Sequence, residues 1–212
     1  MSKLSEIIND VTKPRKGVLP SFRPHHVLKA FIALYNKGPL GRKALSRELK
    51  IGEASARTLI SRLKEKGLVD VSLAGGAYLT EHGLNIIKNI IEKLVYLKPI
   101  DVDELNLLKL AQYAHIALIR EGCKVKPRTV ELRDKLVRHG AKAALILCVE
   151  DRELVLEPGR PEKIPKDISL ELNVIKKNLV TIQNDDLVII SYSDTPELCE
   201  QSLLMFIIDF LG

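Results

Sequence analysis

The stretch of residues 53–69, EASARTLISRLKEKGLV, places short polar and basic side chains at helical spacing and ends near a glycine. Arginine side chains can donate paired hydrogen bonds to a guanine edge or to phosphate oxygens. Serine and threonine also form hydrogen bonds, and their small size lets a helix sit close to base edges in a major groove. These residue types are compatible with a helix that contacts a nucleic acid or with an amphipathic helix that only packs.

An apolar stripe along this helix separates the packing residues from the candidates for chemistry. Ala56, Leu59, Ile60 and Leu63 fall at i, i+3, i+4 and i+7, so they are predicted to face a core. The candidates for contact with bases are Ser55, Arg57, Thr58 and Ser61. The candidates for contact with phosphates are Arg62 on the same helix, and Arg42, Lys43 and Arg47 on the helix before it.

The charge of the chain is distributed unevenly along its length. Its 212 residues carry a net charge of +6, but residues 1–98 hold 18 Lys and Arg against 8 Asp and Glu, whereas residues 99–212 hold 15 against 19. A basic first half indicates a domain that binds a polyanion, joined to a second domain with a different partner. Two solvated surfaces of ordinary composition are the alternative interpretation.

Three helices, a hairpin and a further helix are predicted around the stretch. Helices are expected from Pro24, over LGRKALSRELKIG, and over the stretch itself, which Gly67 ends. LVDVSL alternates as a half-buried strand does, residues 74–77 make an uncharged hairpin tip, and Thr80 caps the next helix. The buried positions expected in that helix, EHGLNIIKNIIEKL, are Leu84, Ile87, Ile90, Ile91 and Leu94.

With RLKEKGLV followed by YLTEHG at this separation, residues 22–95 resemble a winged helix-turn-helix domain, and most resemble those of MarR-like and GntR-like transcriptional regulators. The resemblance implies that the third helix enters the major groove of double-stranded DNA while the second lies near the backbone. The uncharged hairpin tip departs from the Arg or Lys tip of many wings. The two-domain layout also resembles uncharacterised archaeal proteins in which a C-terminal domain of unknown function follows a winged helix.

The segments on either side of this domain are predicted to be an arm and a linker. Residues 1–21 form a basic N-terminal arm, in which LSEIINDV could be a short amphipathic helix and residues 13–17 could lie along phosphates or in a minor groove. A solvated segment is the alternative for residues 13–17. Residues 96–103, YLKPIDVD, are the linker. His25 and His26 point about 100° apart on a helix, so no metal site is predicted there.

Residues 104–212 are predicted to form a second domain of helices and strands. After an ambiguous segment that ends as the strand AHIALI, the pattern predicts the helix VELRDKLVRHG, the strands AKAALILCV and ELVLEPG, the helix ISLELNVIKKN and the strand DDLVIISYSD. This order, βαββαβ, indicates a ferredoxin-like or related α+β sheet, so the fold class of the chain is α+β. The terminal helix, from Pro196, is apolar almost all round, so it is buried between other elements or forms a homodimer contact.

The second domain contains no recognisable catalytic motif. Cations in and after the loop at 120–128 are candidates for an effector site, namely Lys124, Lys126, Arg128 and Arg133. Cys123 with His115 or His139 could supply a nucleophile and a base, so an enzyme in this domain is the less favoured alternative. Three cysteines without CxxC spacing favour reduced thiols in a cytoplasm.

The sequence therefore predicts a cytoplasmic, DNA-binding transcriptional regulator that is not an enzyme and requires no cofactor. Its expected partners are double-stranded DNA, a second copy of the chain in a homodimer, and a small-molecule effector. No apolar run reaches the ~18–20 residues of a membrane span, so no membrane partner is expected. A winged-helix module that binds a protein, or a small-molecule enzyme in the second domain, are the alternatives.

Overall fold

The computed structural model describes residues 3–15, 17–124, 128–156 and 165–212. The chain divides into two compact units, one of Met1–Ile91 with Ile207–Gly212 and one of Glu92–Phe206. The first is mainly helical and the second is built on a sheet, so the predicted α+β class is confirmed. Among the described residues, no helix is both long and apolar enough to span a membrane.

The first unit contains the order of elements predicted for residues 22–95, preceded by one further helix. Its helices are α1 (Lys3–Thr12), α2 (Pro24–Lys37), α3 (Arg42–Leu49), α4 (Glu53–Glu65) and α5 (Glu81–Lys93). The strands β1 (Val69–Val71) and β2 (Ala77–Leu79) pair antiparallel between α4 and α5. Leu40, just before α3, pairs with Ala77 and ties the hairpin to the helices.

The apolar stripe of α4 forms part of the core of the first unit. Ala56, Leu59 and Leu63 are fully buried, as predicted, and Ile60 is half-buried. Gly67 takes a positive φ of 68° just after α4, a conformation that favours glycine at a helix end.

In α5 the prediction is confirmed for Ile87 and Ile90, but Ile91 is half-buried and Leu94 belongs to the strand that follows. The prediction was wrong for Leu84, which is exposed because the glycine before it faces the core instead.

Gly83 explains the LTEHG motif at the start of α5. A Cβ atom at this position would collide with the backbone carbonyl of Leu68, so α5 and the chain entering β1 approach more closely than any other residue allows. The Thr80 hydroxyl accepts a hydrogen bond of 3.1 Å from the Gly83 backbone N–H, which confirms the predicted cap. The motif therefore fixes where α5 begins and how close it lies to the end of α4.

The segment predicted to be a basic N-terminal arm, residues 1–21, contains a packed helix, α1. Leu4, Ile8 and Val11 of α1 are buried, and α1 packs against α2 and α4. The short amphipathic helix expected over LSEIINDV within that arm is present as part of α1. The helix covers apolar surface of the first unit, so its apolar residues are part of that core.

The described residues of the second unit form one five-stranded antiparallel sheet. Its strand order is β3-β4-β7-β5-β6, and α7 packs on one face with Leu172 and Ile175 in the core. The central strand β7 is buried at every position. The elements are β3 (Leu94–Ile100), β4 (Tyr113–Ile119), α6 (Thr129–Arg138), β5 (Ala143–Glu150), β6 (Glu153–Val155), α7 (Lys166–Lys177), β7 (Leu187–Ser193) and α8 (Pro196–Leu211).

Two predictions about this unit differ from the observed topology. The βαββαβ order is present from β4 to β7, but its second and fourth strands, β5 and β7, lie side by side within the sheet. In a ferredoxin-like sheet the first and third strands of this order lie side by side at the centre. Only the coarser prediction, an α+β sheet, therefore holds. The segment 96–103 was predicted to be a linker, but β3 occupies Leu94–Ile100 and pairs with β4 along most of its length.

A disulfide joins Cys123 to Cys148, which contradicts the prediction of reduced thiols. The bond links the loop after β4 to strand β5 and so joins two residues that lie 25 positions apart. Cys199 is a free, buried thiol in α8. Because Cys123 is bonded, it cannot serve as the thiolate nucleophile that the alternative of an enzyme required.

The apolar residues of α8 are largely buried within the single chain. Leu203, Phe206 and Ile207 are fully buried, and the Ser202 hydroxyl lies 2.6 Å from the Ser191 hydroxyl of β7. A helix that is apolar on almost all sides must pack against other residues on several of them, and here those residues belong to the same chain. The composition of α8 therefore no longer argues for a homodimer contact.

Candidate nucleic-acid interface

Helices α3 and α4 are joined by a tight turn of residues 50–52. Lys50 adopts the left-handed conformation with a φ of 55°, and Gly52 is the N-cap residue of α4. A short turn containing glycine between two packed helices is typical of a helix-turn-helix. Leu45 and Leu49 of α3 are buried, as are the apolar residues of α4, so the polar faces of both helices turn to solvent.

The polar faces of α3 and α4 carry cations without carboxylate partners. The side chains concerned are exposed, and none makes an ion pair within the residues that the structure describes; they are Arg42, Lys43, Arg47 and Arg57. Elsewhere in this unit exposed cations do have carboxylate partners: Lys37 lies 2.7 Å from Glu48, and Lys64 lies 2.8 Å from Asp70. Unpaired cations leave a positive surface available to an anion.

The remaining base-contact candidates form a shallow, exposed surface along α4. Ala54, Thr58 and Ser61 are exposed and Ser55 is half-buried. The Thr58 hydroxyl donates to the Ala54 carbonyl oxygen at 3.0 Å, and the Ser61 hydroxyl donates to a Glu65 carboxylate oxygen at 3.2 Å. Both hydroxyl oxygens keep acceptor capacity, but neither hydroxyl donates freely unless it rotates.

Arg62, assigned to phosphate contact in the sequence, is buried and does not lie on the exposed face of α4 with the other cations. Only 5% of its surface is exposed, and its guanidinium lies 5.5 Å from the centre of the Phe22 ring. Its Nη1 atom donates to the carbonyl oxygens of Val11 at 2.6 Å and Lys13 at 2.7 Å. Burial also lowers the pKa of this guanidinium from its usual value. Arg62 therefore connects α4 to the end of α1 and to the residue that follows it.

Two ion pairs hold the same segment against the end of α4. Arg15 lies 2.7 Å from Glu65, and Lys66 pairs with Asp10. These pairs lower the pKa of both carboxyl groups, chiefly through the side-chain hydrogen bonds that the cations donate. These contacts could not be predicted from the sequence, because the partners lie about fifty residues apart and their residue types are common on any surface. Lys16 lies outside the described residues.

The tip of the β1–β2 hairpin is a compact turn with an exposed leucine. The Gly75 backbone N–H donates to the Ser72 carbonyl oxygen at 2.8 Å, and a Cβ atom at Gly76 would lie 2.9 Å from that of Pro39. Leu73 is fully exposed. The tip is therefore held close to the segment before α3, and it presents an apolar side chain rather than a charge.

The residues proposed from the sequence for an effector site are not gathered into an unpaired cluster. Lys124 pairs with Glu121, Arg128 lies 3.1 Å from Glu131, and the Arg133 guanidinium lies 4.0 Å from the Asp134 carboxylate. Lys126 lies outside the described residues. A ligand anion would therefore compete with carboxylates at each of the three described cations.

The histidine pair at the start of α2 is held by the fold. The rings of His25 and His26 are 3.9 Å apart, and His26 Nδ1 accepts a hydrogen bond of 2.9 Å from the Arg23 backbone N–H. Burial, followed by the neighbouring charges, lowers the pKa of His25 to about 3, so this ring is neutral at pH 7. Within the described ranges, no group of three or more potential ligands could hold a metal ion.

Comparison with known proteins separates the chain into the same two regions. The PH0730-like N-terminal domain matches residues 28–85, and a Domain of unknown function (DUF4443) matches residues 110–209. Among solved structures, the hypothetical protein PH0730 from Pyrococcus horikoshii OT3 is similar with a TM-score of 0.64 and 27% identity. That similarity covers 90% of this chain and 93% of the other. These matches fit a two-domain archaeal protein.

The PH0730-like region contains most of the candidate interface. The matched residues 28–85 run from α2 into α5, so they include α3, α4 and the hairpin. They leave out α1 and the chain that Arg62 binds, although both belong to the first unit. No curated protein matches the chain.

Proposed function

We propose that the first unit is a winged helix-turn-helix domain that binds double-stranded DNA, and that the protein regulates transcription. The observation that carries the proposal is the set of exposed, unpaired cations on α3 and α4, namely Arg42, Lys43, Arg47 and Arg57. Phosphate neutralisation by such cations supplies most of the affinity of a DNA-binding surface. The turn at residues 50–52 and the hairpin after α4 support the same conclusion.

In this proposal α4 lies in the major groove and α3 crosses the phosphate backbone. The exposed small residues of α4 would let the helix approach base edges, while Arg57 reaches a guanine edge. The base-contact set is Ser55, Arg57, Thr58 and Ser61. The exposed phosphate-contact set is Arg42, Lys43 and Arg47, and Arg62 is left out of this exposed set because it is buried and its Nη1 is bonded to backbone carbonyls.

The second unit is proposed to supply dimerisation or effector binding. Paired half-sites would require two copies of α4, which is the reason for retaining a homodimer. The burial of α8 removes the sequence-based argument for a homodimer contact through this helix. The carboxylate partners of Lys124 and Arg128 remove the argument for an effector site of unpaired cations. Cytoplasmic localisation, expected for a regulator of this kind, stays a prediction. Catalysis is not part of the proposal.

The test is duplex binding measured across a salt series with the full-length protein. A fluorescently labelled random-sequence duplex is titrated at several salt concentrations, and the logarithm of the binding constant is plotted against that of the salt concentration. The wild type is expected to give a steep negative slope, because cations that contact phosphates release counterions. A flat plot, or no binding at low ionic strength, would overturn the proposal.

A matched pair of variants tests whether α4 provides the surface that binds the duplex. Arg57→Ala removes an unpaired cation of α4 and is expected to weaken binding of the random-sequence duplex several-fold, because one positive charge close to the phosphates is lost. Lys88→Ala removes an exposed cation of α5 in the same unit and is expected to leave binding unchanged. Equal losses in the two variants would show that only total charge matters and that α4 is not the contact helix.

A protein-docking function is the second candidate, favoured by exposed apolar side chains in the first unit. Leu73 at the hairpin tip is fully exposed, and Val18 and Leu19 expose about 70% of their surfaces. A module that docks a protein would keep partner binding after Arg57→Ala and lose it after Leu73→Ser. The reverse pattern, with duplex binding sensitive to Arg57 alone, rejects this candidate.

A further inference from the structure

A groove of about 300 Å³ lies between the chain before α2 and the first turns of α4. One wall contains Arg15 and Ser21, the other contains Ser55 and Thr58, and Arg62 also lines it. The groove therefore collects two guanidinium groups and three hydroxyl groups. Phosphate oxygens accept hydrogen bonds from both kinds of donor.

Arg62 places an incompletely bonded positive charge at this groove. Its Nη1 atom donates to two backbone carbonyl oxygens, but its buried Nε–H has no acceptor among the described residues. No carboxylate forms an ion pair with it in the part of the chain that the structure describes. The Glu65 carboxylate attracts this charge without forming an ion pair with it, because Glu65 is paired with Arg15. A buried charge that is only partly compensated is costly, so an anion bound in the groove would stabilise it.

The first turn of α4 adds further donors along the same groove, two turns of helix before Arg62. Its N-cap residue is Gly52, which offers no side-chain cap, so backbone N–H groups at the start of the helix lack an intrahelical acceptor. Ala54 and Ser55 of this turn line the groove. The N-terminus of a helix favours anions because the N–H groups and the helix dipole point the same way. Glu53, the acidic residue of this turn, does not line the groove.

We infer that this groove is a binding site for a phosphate group, held by Arg15, Arg62, Ser21, Ser55 and the first turn of α4. The phosphate can belong to a free phosphorylated compound or to a DNA backbone, since the same donors recognise both. In the second case the inference rests on the proposed DNA binding. In the first case it does not, because a free phosphate needs no duplex.

The experiment titrates inorganic phosphate into the full-length protein by calorimetry in chloride buffer. Arg15→Gln with Ser21→Ala removes two donors that lie outside the proposed base-contact set and is expected to weaken binding about ten-fold. Glu65→Gln frees Arg15 from its carboxylate partner and is expected to strengthen binding several-fold. Lys64→Gln removes an exposed cation of α4 that does not line the groove, so it should bind phosphate as the wild type does.

A second arm measures duplex binding by the same variants across a salt series. If the wild type binds inorganic phosphate in the calorimetric titration and the double variant does not, the result supports a site for a free phosphate. If inorganic phosphate does not bind, a salt slope that falls by about one in the double variant but not in Lys64→Gln supports a backbone-phosphate site. The inference is overturned when neither arm separates the double variant from the control. The salt slope of the wild type tests the proposed function separately.

Discussion

Arg62 Nη1 donates a hydrogen bond of 2.6 Å to the backbone carbonyl oxygen of Val11, a residue 51 positions earlier in the chain. The bond joins the last turn of α4 to the end of α1, and a second bond reaches the carbonyl oxygen of Lys13. The helix proposed to contact DNA is therefore also the helix that holds the N-terminal segment. Packing and recognition can be separated on it residue by residue.

Arg62→Ala is expected to lower the free energy of unfolding by about 2–4 kcal/mol, because two charge-assisted bonds are lost and buried carbonyls lose their donor. Arg57→Ala, on the exposed side of α4, is expected to change it by less than about 0.5 kcal/mol. Urea denaturation followed by circular dichroism measures both. Equal stability of the two variants would contradict the role assigned to Arg62.

Replacement of the α3 cations is expected to flatten the salt dependence of duplex binding. The triple variant Arg42→Gln, Lys43→Gln and Arg47→Gln should reduce the slope by about 2–3, since each phosphate contact contributes about 0.9. Fluorescence anisotropy at a series of salt concentrations provides the measurement. An unchanged slope would place the phosphate contacts on other elements of the protein.

His25 is expected to make the first unit less stable in acid. Its folded-state pKa is depressed to about 3 from 6.5, so unfolding takes up a proton at intermediate pH. The neutral, buried ring therefore stabilises the fold fully above pH 6.5, and this stability is lost progressively as the pH falls towards 3. Urea denaturation at pH 7 and pH 4.5 should show a smaller loss for His25→Phe than for the wild type. A loss of equal size in both would exclude His25 as the cause.

Loss of the Cys123–Cys148 disulfide is expected to destabilise the second unit by about 3–4 kcal/mol, given the loop it closes in the unfolded chain. Unfolding of the wild type should respond to a reductant, while the double variant Cys123→Ala and Cys148→Ala should not. Thiol titration of the denatured, unreduced protein should find Cys199 alone. Detection of all three thiols would contradict the bond.

Gly83→Ala is expected to destabilise the first unit by about 1–3 kcal/mol, because the new methyl group meets the Leu68 carbonyl and the backbone must shift. Asn85→Ala, at an exposed position of the same helix, provides the control and should be neutral or slightly stabilising. Thermal unfolding compares the two. A neutral result for Gly83→Ala would show that α5 does not pack against the chain at Leu68.

Local periodicity was sufficient to predict most elements of this protein. The stripe of Ala56, Leu59 and Leu63 repeats at helical spacing, so α4 and its core face could be read from neighbouring residues. The same holds for β7, whose apolar run lies between turn residues. The order of strands in the sheet could not be predicted this way, because it depends on which strands pair after the chain has folded.

The errors in the candidate site have the same physical origin. In the sequence Arg62 has the same character as Arg57, since both are arginines beside the apolar stripe of one helix. They differ because backbone carbonyls of Val11 and Lys13 reach one of them, and that depends on where α1 packs. Strand β3 was taken for a linker because Lys98 and Pro99 interrupt its apolar pattern, although its partner strand follows soon after.

The first unit takes residues from both ends of the chain, since it includes Ile207–Gly212 as well as Met1–Ile91. The Asn89 side chain donates to the Leu211 carbonyl oxygen at 2.6 Å, which fastens the last turn of α8 to α5. In terms of connectivity, the second unit is therefore an insertion within the first. A single cut between residues 91 and 92 would leave the two fragments still sharing one folded unit, and a fragment of residues 28–85 would lack both ends of its own core.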